Sequence, residues 1–97
     1  MYLEVVSPEA ILFSSEVDSV AVPGVNGEFY MLNNHASIVS TLKEGTIKIH
    51  THTQEHLKMD DLHGRIVRDT TDNKIVTVAI HSGTVELKKN KVIVLVD

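Results

Sequence analysis

The chain has 97 residues, a formal net charge of −4 and no cysteine, so it suits a single domain and excludes a disulfide framework, a thiolate nucleophile and a thiolate metal site. Nine Lys and Arg against thirteen Asp and Glu leave no basic surplus for a nucleic-acid backbone. Aromatic content of 4% with no tryptophan offers little on which bases or sugars could stack. Residues 1–97 are therefore expected to be one domain that binds no nucleic acid.

The first residues, Met1 to Pro8, lack a basic stretch followed by a long apolar one, so they do not read as a secretory signal. They do read as a half-buried strand, because Leu3, Val5 and Ser7 alternate with Glu4, Val6 and Pro8. Val17, Val20 and Val22 form a β-branched segment ending at Pro23-Gly24, and Asn26-Gly27 follows at once, which predicts a tight hairpin. Gly24 and Gly27 allow positive φ there, and Pro23 presets the approach, so the loop should be stiff and projecting. The next strand is Glu28 to Leu32, broken by Asn33-Asn34.

Ile38, Val39 and Leu42 make a further apolar piece closed by Glu44-Gly45. From Thr46 to His52 the pattern alternates, with Ile47 and Ile49 on one face and Lys48, His50 and His52 on the other. Thr53 to Asp69 fits neither the helical nor the strand period, and is expected to be a hairpin extension with a mobile tip. Asp72-Asn73 marks a turn before the Val-rich strand Ile75 to Ile80. After a break at Ser82-Gly83, Val85 and Leu87 share a face, Lys89-Asn90 turns the chain, and Val92, Val94 and Val96 complete the last strand. That apolar run, Val92 to Val96, is far shorter than the roughly 20 residues a spanning helix needs. Short strands with turn signals every 8–12 residues or so predict an all-β sandwich or barrel with little or no helix. The chain is expected to remain in the cytoplasm with no direct membrane insertion.

Five ordered pieces carry the reading further. They are Val6-Ser7-Pro8-Glu9, Glu16 to Val20 leading to Pro23-Gly24, Gly27 to Ala36, Ser82 to Leu87, and Asn90 to Leu95. Together they resemble the N-terminal domain of the ATP synthase epsilon subunit, called delta in mitochondria, over nearly the whole chain. The sequence departs from that family at Tyr30, Asn33, Ser37 and Thr84. The resemblance implies a two-sheet β-sandwich, a flattened barrel, acting as a non-catalytic rotor subunit of a proton-translocating F-type ATP synthase. It would link the gamma shaft to the c-ring at the cytoplasmic face of the bacterial inner membrane.

The same resemblance assigns contacts. Glu28, Tyr30, Asn33 and Asn34 would face the polar loops of the c-ring, where a carboxylate can meet an arginine. Taken by itself, Glu28 reads as a solvated hairpin residue, as exposed carboxylates usually are; the resemblance favours the contact. His35, Ile38, Val39 and Leu42 would lie near the gamma subunit; as plain sequence, His35 also suits a surface position, and the three apolar residues suit core and interface equally. The family normally continues past the position of Asp97 into two C-terminal helices that can bind ATP. This sequence stops at Asp97, so the helical domain is expected to be absent, with no specific ATP binding and no cofactor.

Two other readings compete. Six histidines invite a metal site, and Gly45, His50, His52 and Glu55, with His56 after them, approach the pattern of a cupin-like metal-binding β-barrel. The spacings fail: Gly45 stands too close to His50 and Glu55 follows His52 too soon, while His63 and His81 have no partner at ligand spacing. No metal is expected. The other reading is a free-standing β-sandwich module that binds an unknown protein. No phosphate-binding loop, dinucleotide fingerprint or nucleophile elbow is present, so the isolated chain is expected to be inactive.

Overall fold

The alternating apolar residues become ten strands in a computed structural model that describes residues 1–51, 64–68 and 74–97. They are β1 (Tyr2–Val6), β2 (Ile11–Glu16), β3 (Ser19–Gly24), β4 (Gly27–Leu32), β5 (Ile38–Leu42), β6 (Gly45–His50), β7 (Ile66–Arg68), β8 (Ile75–Ile80), β9 (Gly83–Lys88) and β10 (Lys91–Val96). No helix occurs among the described residues, and none is therefore long and apolar enough to cross a membrane. Most of the expected extension at Thr53–Asp69 lies outside the described residues, as do His52, Glu55, His56, His63 and the Asp72-Asn73 turn. Within it, β7 is described as a short strand on the edge of β8.

The strands follow the order β2-β1-β10-β9-β5-β3-β6-β8-β7, with β4 on the free edge of β3. One link in this series is thin. β3 and β5 share the single pair Gly24↔Leu42, whereas β5 and β9 pair from Ile38↔Leu87 to Leu42↔Gly83. The molecule is thus two sheets joined at a seam. The first holds β2, β1, β10, β9 and β5, and the second holds β4, β3, β6, β8 and β7. Two backbone bonds flank the seam, from Val25 N–H to the Thr41 carbonyl (3.1 Å) and from Lys43 N–H to the Pro23 carbonyl (2.9 Å). At the other end of the sandwich, Val17 N–H donates to the Met1 carbonyl and Asp18 N–H to the His50 carbonyl, both at 2.8 Å.

The core follows from the period of two. Inward residues of the first sheet run in rows through the register, such as Leu3, Val92 and Leu87, or Val5, Val94 and Val85. Those of the second sheet do the same through Val20, Ile49 and Val76, and through Ile47 and Val78. Sheets packed face to face bury such rows against each other, and all of these residues are buried.

Three local features were not anticipated. β2 carries an irregularity: Val5 pairs with Phe13 and Val6 with Ile11, so Leu12 is extra, and Leu12 and Phe13 are both buried. A bulge of this kind breaks the alternation that would mark a strand in sequence. The first and last strands, β1 and β10, lie side by side and parallel. The third concerns the turns. Only Gly27 uses positive φ (125°) in the Val25-Asn26 hairpin. Gly24 is required for a different reason, since a Cβ there would stand 2.8 Å from the Gly27 carbonyl oxygen and 2.8 Å from the Phe29 ring. The Lys89-Asn90 loop, with φ of 51° and 62°, has the left-handed conformation at both residues that suits a two-residue hairpin.

Candidate interaction surfaces

Strand β4 places Glu28 and Tyr30 on one face, two residues apart and both exposed. Its other neighbour on that face is Leu32, also exposed. The Glu28 carboxylate lies 3.5 Å from Lys48 Nζ on β6, an exposed ion pair of the kind that contributes little and exchanges readily for another cation. Asn33 and Asn34 do not join Glu28. They sit at the opposite end of β4, five extended residues or roughly 16 Å away. Asn33 is engaged within the chain: its Oδ1 accepts from the Met1 amine at 3.0 Å and from Asn90 Nδ2 at 2.8 Å. Asn34 has φ of 64°, and its N–H donates to Asn90 Oδ1 at 2.8 Å. The structure thus gives these two residues an internal role that a reading of local sequence did not contain.

The residues expected near gamma also separate. His35 is exposed in the segment that crosses from the second sheet to the first; its N–H donates to the Leu32 carbonyl, and its Nδ1 lies 2.7 Å from the Ala36 carbonyl. Ile38 is half-buried against the core. Leu42, at 2% exposure, is a core residue at the seam and has no surface to offer a partner, because β5 turns positions 38, 40 and 42 inward. Val39 points the other way and is 77% exposed.

Val39 does not stand alone. Across the outer face of the first sheet one row runs Val39, Glu86, Ile93, Glu4 and Ser14. The next runs Thr41, Thr84, Leu95, Val6 and Ile11, in which Leu95 is 52% and Ile11 63% exposed. A shallow depression of about 370 Å³, lined by Ser37, Ile38, Val39, Glu86, Leu87 and Lys88, indents the edge of this face. Val6, Ile11, Ile93 and Leu95 were missed as surface residues; the signal was present in their phase, opposite to that of Leu3, Val5, Val92 and Val94.

Among the described residues, the polar groups elsewhere do not assemble a catalytic or metal centre. His81 turns its two ring nitrogens to different carboxylates, Nδ1 to Asp97 at 2.9 Å and Nε2 to Glu44 at 3.9 Å. The N–H of His81, then its imidazole, hold the Asp97 carboxyl well below the usual carboxylate range. Two nitrogens of one ring cannot converge on one ion, and among the described residues no group of three or more His, Asp or Glu is placed to hold a metal. His50 is exposed on β6.

The comparison with known proteins falls on this framework. Residues 1–60 match the model of the family described as ATP synthase, delta/epsilon chain, β-sandwich domain. The chain belongs to that family. An ATP synthase epsilon chain of Campylobacter fetus is 39% identical over all 97 residues, which cover 60% of the relative's length. One from Desulforamulus reducens is 32% identical over 95 residues, or 98% of this chain and 57% of the relative. This epsilon-family chain therefore spans about three-fifths of the curated relatives it matches. In fold it is similar to a chain of the central stalk and c-ring of the Tetrahymena thermophila mitochondrial ATP synthase (TM-score 0.70, 11% identity, covering 98% of this chain and 61% of the other). A chain of the Euglena gracilis mitochondrial ATP synthase is similar too (TM-score 0.71, 16% identity, covering 97% and 48%). The all-β sandwich expected for an epsilon family member is the fold observed.

Proposed function

We propose that this chain is a non-catalytic rotor subunit of an F-type ATP synthase, joining the gamma shaft to the c-ring so that torque from proton flow reaches the catalytic subunits. The observation that carries the reading is the epsilon-family match together with the exposed apolar residues Val39, Leu95 and Ile11 on the outer face of the first sheet. On this reading that face packs against gamma, with Ile38 at its edge and His35 beside it. Glu28 and Tyr30, on the other sheet, meet the polar loops of the ring, while Asn33 and Asn34 shape the end of β4. The chain works at the cytoplasmic face of the bacterial inner membrane as part of the complex.

The ring contact is tested by charge reversal. Glu28→Lys places a second cation beside Lys48 and repels any cationic group on the ring. A contact at a rim position changes association rate and salt dependence more than anything else. We expect about fivefold weaker association with the ring at physiological salt, about 1 kcal/mol, with less proton pumping per ATP hydrolysed and an unchanged fold. Lys48→Gln removes only the internal pair and should leave coupling intact. Full coupling by the Glu28→Lys complex would take Glu28 out of the contact.

A further inference from the structure

We infer that Asn90 is a positioning residue that sets the path of the chain between the two contact faces. The inference rests on the functional reading above, which places one contact on β4 and the other beside β5.

The Lys89-Asn90 hairpin needs a left-handed backbone at position 90, where φ is 62°. Glycine would satisfy that need equally well. The asparagine amide adds something that the hairpin itself does not use. Its Nδ2 donates to Asn33 Oδ1 at 2.8 Å, and its Oδ1 accepts the Asn34 N–H at 2.8 Å. The backbone carbonyl of Asn90 also accepts the Tyr2 N–H at 3.1 Å. One residue thus ties together the β9–β10 hairpin, the start of β1, and the Asn33-Asn34 turn, which lies 56 to 57 residues away in sequence.

The tied segment matters because of where it goes. Residues 33–37 leave β4 in the second sheet and enter β5 in the first, and every one of them is exposed. No apolar side chain anchors this crossing. Its course depends on polar bonds: Asn34 to Asn90, His35 N–H to the Leu32 carbonyl, and Asn33 to Asn90 and Met1. Asn34 is itself held at φ 64°, a conformation asparagine tolerates but does not require. Without the Asn90 amide, Asn34 loses the acceptor of its N–H, and the turn is free to relax. Residues 33–37, His35 among them, then lose their fixed course beside the proposed β5 contact, while Ile38 and Val39 keep their places opposite Leu87 and Glu86. Positioning of this kind lowers the entropy lost on binding, so its removal weakens association more than it weakens the fold.

The test uses Asn90→Gly, which keeps the left-handed backbone and deletes the amide, and Asn90→Asp, which keeps an acceptor for the Asn34 N–H while giving up the donor to Asn33 Oδ1. Three quantities are measured: thermal unfolding, hydrogen exchange at the Asn34 amide, and the affinity of the chain for a stalk complex lacking this subunit. For Asn90→Gly we expect an unfolding midpoint within about 5 °C of the parent, at least about tenfold faster Asn34 exchange, and about fivefold weaker binding. Asn90→Asp should recover slow Asn34 exchange and part of the affinity. Wild-type affinity in Asn90→Gly, or a loss that Asn90→Asp does not reduce, overturns the inference. Val39→Lys, measured in parallel, separates the two claims. If Val39→Lys weakens binding and Asn90→Gly does not, only the role of Asn90 is lost. If Val39→Lys binds normally, the contact surface is misplaced and the role of Asn90 falls with it.

Discussion

Replacing Gly24 by alanine is expected to lower the thermal unfolding midpoint by on the order of 10 °C. The methyl group would sit 2.8 Å from the Gly27 carbonyl oxygen and 2.8 Å from the Phe29 ring, well inside van der Waals contact. Neither neighbour can retreat easily: one is backbone of the paired strand, and Phe29 packs against the core. Overpacking of this sort costs about 1–3 kcal/mol, and each kcal/mol moves the midpoint of a domain this size by about 4–8 °C. The position also makes the only registered pair between the two sheets, Gly24↔Leu42, among the described residues. A shift of β3 away from Gly27 would therefore pull on the seam. Gly64→Ala is the control, since nothing among the described residues lies within 4 Å of a Cβ there; its effect should stay within about 0.5 kcal/mol. An unchanged midpoint in Gly24→Ala, followed by calorimetry, would show that the seam yields where the packing says it cannot.

On the proposed contact, Val39→Lys is expected to weaken binding to the gamma-containing stalk by about 30-fold, or about 2 kcal/mol, the loss expected when a charge replaces an apolar side chain in a desolvated contact. The substitution suits the free chain. Val39 is exposed and directly opposite Glu86, so a lysine gains a cross-strand partner of opposite charge. Its isolated stability should remain within about 1 kcal/mol of the parent. In the assembly the same ammonium would be driven into an apolar contact around Ile93 and Leu95, where removing its water is costly. Stability and binding are thus predicted to part company. Equilibrium binding of the variant to a stalk lacking this subunit, beside its melting curve, reads both, and an affinity equal to the parent's would remove the first-sheet face from the interface.

Much of this arrangement was legible before any coordinates. Leu3 and Val5, Ile47 and Ile49, Val85 and Leu87, and the alternate valines from Val92 to Val96 announce their strands by period alone, and all are buried. The Lys89-Asn90 turn announced its hairpin in the same way. β2 escaped because the extra residue at Leu12 puts two apolar neighbours on the same side and erases the period. The parallel union of β1 with β10 escaped for a deeper reason: alternation reports which face a side chain takes, never which strand lies alongside. The exposure of the candidate contact residues was half legible. Period two separates Val39 from Leu42 once β5 is granted, yet apolar character alone kept them together. For Asn33 and Asn34 the local signal was only a strand break, because the residue that gives them a purpose, Asn90, is remote in sequence and near in space.

The union of β1 with β10 bears on how the chain comes into being. Among the described strands, β1 is the earliest in sequence, yet its place is between β2 and β10, which is the latest. Leu3 and Val5 cannot find Val92 and Val94 until about ninety more residues have been added, a wait of roughly 5–20 s at ordinary rates of synthesis. Until then β1 and β2 form at most an isolated hairpin, which is marginal in water. The first sheet, and with it the face around Val39, therefore closes in one late event. A partner that reads this face would meet it only once β10 is in place beside β1.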